Sequence, residues 1–139
     1  MLKKIARTKT ILIIYVFVLA FIIFLADYKS TAYLLGFVGA VPFGDKIGHF
    51  FLMGGFSFLL NAFFAAKTFK LWKVEYLIGS CLVFLLVAIE EFSQIFISGR
   101  SFDWGDLIFD LAGILILGEL ARIVYRRRDS IEEVFAKSP

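Results

Sequence analysis

Between Leu77 and Leu117 an apolar segment acquires Glu90, Glu91 and Gln94, breaks at Ser98-Gly99-Arg100, and returns to apolar sequence through Asp103, Asp106 and Asp110. An ionised carboxylate within a membrane-spanning segment costs several kcal/mol unless it is paired, hydrated or protonated. A chain that keeps Glu90, Glu91 and Asp110 in such surroundings must therefore gather them into an interior polar centre with apolar surface around it. That requirement limits the fold more than any other feature of the sequence.

The surroundings are indeed apolar. Of 139 residues 60% are hydrophobic, with 18 Phe and only 2 Pro, and the mean hydropathy is +0.87. This reads as one domain, 1–139, of a polytopic membrane protein and not as a soluble enzyme. The expected fold is all-α and integral to the membrane, four transmembrane helices in a single small bundle, at about residues 10–26, 46–66, 76–97 and 104–125. Cys81 is the sole cysteine, so an intrachain disulfide is excluded. The net charge of +3 comes from basic residues that flank apolar spans, which suits topology determinants and not nucleic-acid binding.

Lys3, Lys4, Arg7 and Lys9 precede the apolar run Ile11 to Ala26. That run exceeds the ~7–15 residues of a signal-peptide core, and Phe24-Leu25-Ala26 is no small-x-small cleavage site, so a retained first helix is expected. Asp27 to Gly44, with Gly36, Gly39, Pro42 and Gly44, reads as an extracytoplasmic loop, re-entrant segment or partial lid. Asp45 is suited to N-cap the second helix. Gly54 and Gly55 form a flat spot for close helix approach, and Lys67, Lys70 and Lys73 form a basic loop before the third helix. Most Lys and Arg fall in the N-terminal region, this loop and the segment from Arg122 onward, which places both termini in the cytoplasm. The opposite face holds Lys29, Lys46 and Arg100 against Asp27, Asp45, Glu90, Glu91, Asp103, Asp106 and Asp110, so the polar centre faces outward.

Helical geometry brings these groups to similar depth. At 1.5 Å per residue, Glu90 lies ~20 Å above a cytoplasmic start at Leu77 and Asp110 ~10 Å below an outer start at Asp103, within a core ~30 Å thick. Asp45 and His49, Glu90 and Gln94, and Asp106 and Asp110 are each i and i+4 pairs sharing a helix face. Glu90 and Glu91 differ by about 100° around their helix, and Gln94 favours Glu90 as the inward-facing member. Simpler roles compete: Asp45 and Asp103 as caps, Asp106 as a first-turn acid, His49 as an interfacial histidine, and Glu119 with Arg122 as an i, i+3 ion pair.

Crowded carboxylates raise one another's pKa, which offers a proton donor beside a proton acceptor. Glu90, Asp110 and His49 are the candidates for such acid/base work. The same oxygen donors suit Mg²⁺, Ca²⁺ or Mn²⁺, or Zn²⁺ with His49 included. The chain has no HExxH or CxxC, no phosphate-cradling glycine loop and no recognisable Ser-His-acid triad.

Asp45-Lys46-x-x-His49-Phe50, Glu90-Glu91-x-x-Gln94 and Arg100-x-x-Asp103-x-x-Asp106-x-x-x-Asp110-x-x-Gly113 together resemble the pattern of VanZ-like membrane proteins over about Asp45 to Gly118. The resemblance implies a small multi-helix protein of the bacterial cytoplasmic membrane, in a family whose founder is associated with resistance to the glycopeptide teicoplanin. Where this chain has Asp110 the family pattern usually has Asn, which adds a charge.

Three readings follow. The first is a binding or envelope-modifying protein whose outward pocket of Asp45, Lys46, His49, Glu90, Glu91, Gln94, Arg100, Asp103, Asp106 and Asp110 engages a lipid head group or lipid-linked envelope precursor. The second is an intramembrane hydrolase or transferase on a lipid-linked substrate, with Glu90 or Asp110 as acid/base. The third is a structural or accessory subunit in which polar residues hold helices together.

Overall fold

The computed structural model describes residues 2–27, 42–97 and 102–136. These residues are mostly helical, in four α-helices: α1 (Leu2–Asp27), α2 (Gly44–Phe63), α3 (Ile78–Ser93) and α4 (Trp104–Ala136). A short 3-10 turn, Gln94–Phe96, continues α3. Among the described residues, two helices are long and apolar enough to cross a membrane, over Arg7–Leu25 and Ile78–Phe96. The glycine-containing connection after α1 falls largely on residues 28–41, outside the described residues, as does Arg100.

Two boundaries depart from expectation. The last helix does not stop near Tyr125 but runs to Ala136, because Arg126 to Ala136 contains neither glycine nor proline and is rich in good helix formers. The basic loop contains a β-hairpin, β1 (Thr68–Leu71) and β2 (Val74–Leu77), paired antiparallel with Thr68 opposite Leu77. Phe69 and Tyr76 stack across it at 5.8 Å, and Lys70 faces Glu75, pairings of the kind that stabilise sheets. Its two-residue turn holds Trp72 at φ 58, the positive φ that such turns need to match strand twist.

The closest helix pair is α2 with α4. Gly54 packs on α4, where an added Cβ would lie 2.8 Å from the Gly113 carbonyl oxygen and 2.7 Å from Leu117. A Cβ on Gly113 would collide with the Phe50 carbonyl. Gly55, the other half of the expected flat spot, faces α1, where Tyr15 Oη donates to the Leu52 carbonyl at 2.7 Å. Leu19, Met53, Val83, Val87 and Ile114 close the core between the four helices. The outer faces carry large apolar side chains, among them Phe17, Phe21, Phe51, Ile89, Ile108 and Ile116, all more than half exposed.

Gly113→Ala is expected to force α2 and α4 apart at a cost of about 1–3 kcal/mol. Gly48→Ala, where nothing lies within 4 Å, should be neutral or stabilise by up to ~1 kcal/mol. Thermal unfolding of the two variants in detergent, read against the parent, checks both; equal Tm values would refute the close contact.

Candidate functional site

The start of α2, the end of α3 and the start of α4 meet at one end of the bundle and bring most of the sequence-selected residues together. Lys46, on the first turn of α2, reaches across to α4, 2.8 Å from Asp106 Oδ1 and 3.1 Å from Asp103 Oδ2, with Asp45 Oδ2 at 3.9 Å. One turn deeper, His49 Nδ1 lies 3.1 Å from both carboxylate oxygens of Asp110. Its Nε2 faces Asp106 Oδ2 at 3.8 Å. The expected pair Asp106 and Asp110 on α4 thus meets Lys46 and His49, i and i+3 on α2, across the helix contact, whereas Asp45, expected to pair with His49, is largely exposed.

Burial divides the acids. Asp110 is 1% exposed and Glu91 is fully buried, so their charges need partners close by. Asp110 has His49. Glu91 accepts the backbone N–H of Asp103 at 2.7 Å through Oε1 and the Gln94 amide at 3.0 Å through Oε2. It therefore fastens the end of α3 to the beginning of α4. Glu91, and not Glu90, is the inward member of the pair, which corrects the assignment made from spacing. The helix-four start turns toward Glu91 to satisfy an N-terminal N–H, a contact that local spacing does not contain.

Glu90 is half-buried on another side of α3. It accepts a hydrogen bond from the same Gln94 amide at 3.0 Å and lines a cleft with Leu19 and Ile23 of α1 and Met53 of α2. The smaller continuation of this cleft includes His49. Glu90 and Asp110, expected to meet at one depth, make no described contact with each other: Asp110 bonds His49, and His49 shares the lining of this smaller space with Glu90.

Asp103 acts as the cap expected of it and also meets Lys46. Its Oδ1 caps α4 by accepting the Gly105 N–H at 2.6 Å, while Oδ2 holds Lys46. Asp45 does not act as an N-cap: Phe43 occupies that position at positive φ without a side-chain cap, and Asp45 is a first-turn acid, largely exposed. Lys46, partly exposed, is held among Asp45, Asp103 and Asp106 at the accessible end of the cluster. Among the described residues, no group of three or more His, Cys, Asp or Glu side chains is placed to hold a metal ion; Lys46 stands where the aspartates converge. Arg122 pairs with Glu119 at 2.7 Å, as their spacing indicates, and also approaches Glu75 of the hairpin at 4.0 Å.

Sequence reasoning missed a second polar layer deeper in the bundle. Ser57 Oγ donates to the Ile114 carbonyl at 3.0 Å and lies 3.0 Å from Ser80 Oγ, and Asn61 Nδ2 donates to Ser80 Oγ at 2.9 Å. All three side chains are buried. Gly118 and Gly79 make room for them, since a Cβ at either would run into this cluster. The signal was present on α2, where Ser57 and Asn61 continue the four-residue spacing of Asp45 and His49.

Set against protein-family models, curated proteins and solved structures, the chain matches none of them.

The Asp103 carboxyl is held below the usual aspartate range, first by the Gly105 N–H and then by the Lys46 ammonium. The ionised form, and the contacts that depend on it, persist above that lowered midpoint and are lost as pH falls through it. Lys46→Met should raise the midpoint toward the ordinary value, read from the Asp103 carboxyl ¹³C shift during an NMR pH titration. An unchanged midpoint would remove Lys46 from the cluster.

Proposed function

We propose that this chain is a multi-pass protein of the bacterial cytoplasmic membrane, a bundle of four spans with both termini cytoplasmic. Its outward-facing acidic site binds a polar lipid head group or lipid-linked envelope precursor, in a VanZ-like role in envelope modification or glycopeptide (teicoplanin) resistance. The membrane setting is supported by two helices long enough and apolar enough to span and by large apolar side chains exposed around the bundle, which water would penalise and lipid accepts. The outward direction follows from the basic residues gathered near the opposite end.

The observation that carries the binding role is His49 suspended between buried Asp110 and more accessible Asp106. Asp110 and Glu91 hold the scaffold in register; His49, Asp106 and Glu90, all only partly buried, supply the surface that meets a ligand. Carboxylates accept hydroxyl and amine donors strongly in such a poorly hydrated setting.

The pairing of Nδ1 with Asp110 also favours a second reading. A buried carboxylate on one imidazole nitrogen orients the ring and leaves Nε2 to take or give a proton, the relation on which general-base histidines depend. On this reading the protein is an intramembrane hydrolase or transferase with His49 as base and Asp110 as its orienting partner.

Native mass spectrometry of the gently solubilised protein should detect an envelope lipid or precursor retained by the parent and lost in both Asp106→Asn and Asp110→Asn. An empty parent, or variants that keep every bound species, would overturn the binding reading. Under the enzymatic reading, isolated membranes should release product with a pH optimum that His49→Gln abolishes while binding persists; absence of any product would reject it.

A further inference from the structure

The hairpin between α2 and α3 has two unlike faces. Its register sets Phe69 opposite Tyr76 and Leu71 opposite Val74 on one face, and Thr68 opposite Leu77 and Lys70 opposite Glu75 on the other. The second face turns to the bundle: Leu77 is buried, and Glu75 Oε2 lies 4.0 Å from Arg122 and 3.8 Å from Arg126 of α4. The first face therefore points away from α4. Phe69, Leu71, Val74 and Tyr76 are each at least 40% exposed, and Trp72, in the turn between the strands, is 91% exposed. A two-stranded hairpin is marginal in water on its own, and contiguous exposed apolar side chains of this kind mark a surface that something covers.

Position and charge select the cover. Along α4, Arg122 and Arg126 lie ~27 and ~33 Å from Trp104 at the acidic end, so the hairpin docks where a hydrocarbon core ~30 Å thick would end. Aromatic side chains with amphipathic rings collect at that level, where one edge meets hydrocarbon and the other meets head groups. Residues 67–77 carry Lys67, Lys70 and Lys73 against a single acid, Glu75. All three lysines are exposed, and long lysine stems reach from an apolar surface to phosphate. A leaflet containing anionic lipid supplies hydrocarbon and negative charge together, in the order that this hairpin presents their complements.

We propose that the hairpin is an interfacial anchor: its apolar face lies among the upper acyl chains of the cytoplasmic leaflet, and Lys67 and Lys73 contact the phosphates of anionic phospholipids. The assignment rests on the membrane reading above. It adds a second lipid contact, at the end of the bundle opposite the acidic site, that holds the connection between α2 and α3 at a fixed depth.

Trp104→Phe leaves Trp72 as the sole tryptophan of the full chain. In bilayers of phosphatidylcholine and phosphatidylglycerol, its emission should shift to the blue and be quenched more strongly by bromine near the acyl carbonyl than by bromine deep in the chain. Energy transfer from Trp72 to dansyl-labelled phosphatidylglycerol should exceed transfer to dansyl-labelled phosphatidylcholine. Lys67→Gln combined with Lys73→Gln should reduce that preference about fivefold or more. Trp72 open to acrylamide and unquenched by bromine would overturn the proposal by leaving the face in water. Shielding from both quenchers would overturn it by covering the face with a second copy of the chain, and equal transfer to the two lipids would remove the phosphate contact. Phe17→Trp, with Trp72→Phe and Trp104→Phe, moves the probe to an exposed position in the middle of the α1 span. If deep bromines quench that probe while Trp72 stays unquenched, only the hairpin assignment fails. If neither position is quenched, the membrane reading itself fails.

Discussion

The approach of α2 to α4 at Gly54 and Gly113 is the contact on which the rest of the structure depends. With no side chain between the Phe50 carbonyl and Gly113, the helices come close enough for short polar groups on either side to reach one another directly. One turn outward, His49 meets Asp110; one turn inward, Ser57 reaches the Ile114 carbonyl. A larger residue at the crossing would separate both pairs together. Buried where water cannot replace a lost partner, each separated group would carry its full desolvation cost.

That geometry assigns different work to residues of the same chemistry. Asp110 and Glu91, almost without exposure, are spent on holding His49 and the α3–α4 junction. Asp106, His49 and Glu90 keep partial exposure, and His49 and Glu90 line a small cleft beside α1. Lys46 reconciles the two groups, since one ammonium shared by Asp103 and Asp106 lets several carboxylates stand close together. Among the described residues of this cluster, carboxylates outnumber ammonium groups.

Much of this was legible in the sequence. The apolar runs locate the helices, and four-residue spacing identifies the face that carries Asp106 and Asp110; on α2 it pairs His49 with Asp45, while the residue that joins His49 in reaching α4 is Lys46. What spacing could not supply was the rotation of α3 relative to α4. That rotation is set by the Asp103 N–H seeking an acceptor, and it selects Glu91 over its neighbour. The hairpin was hidden for a related reason: Lys67, Lys70 and Lys73 suggest a solvated loop, and its turn is formed by Trp72 and Lys73 without the glycine or asparagine that usually marks one. Ser57 and Asn61 lie in the right register, but their partner Ser80 comes from a different helix, a contact that spacing along α2 does not contain.

The spacing of polar and apolar layers bears on what the outer site can do. On α2, Met53 separates His49 from Ser57; on α3, Val87 separates Glu91 from Ser80; on α4, Ile114 separates Asp110 from Gly118. All three apolar side chains are buried and belong to one cluster. The acidic centre and the serine–asparagine layer are therefore divided by a buried apolar layer, the two lying about two helical turns, ~12 Å, apart along α2. An ion or proton crossing that stratum would have to leave every hydrogen-bond partner behind. The arrangement suits a site that meets its ligand from a single side, through the partly exposed edge formed by Asp106, His49 and Glu90. The inner polar layer then acts as mechanical support, fixing the α2–α4 crossing that the outer pairs require.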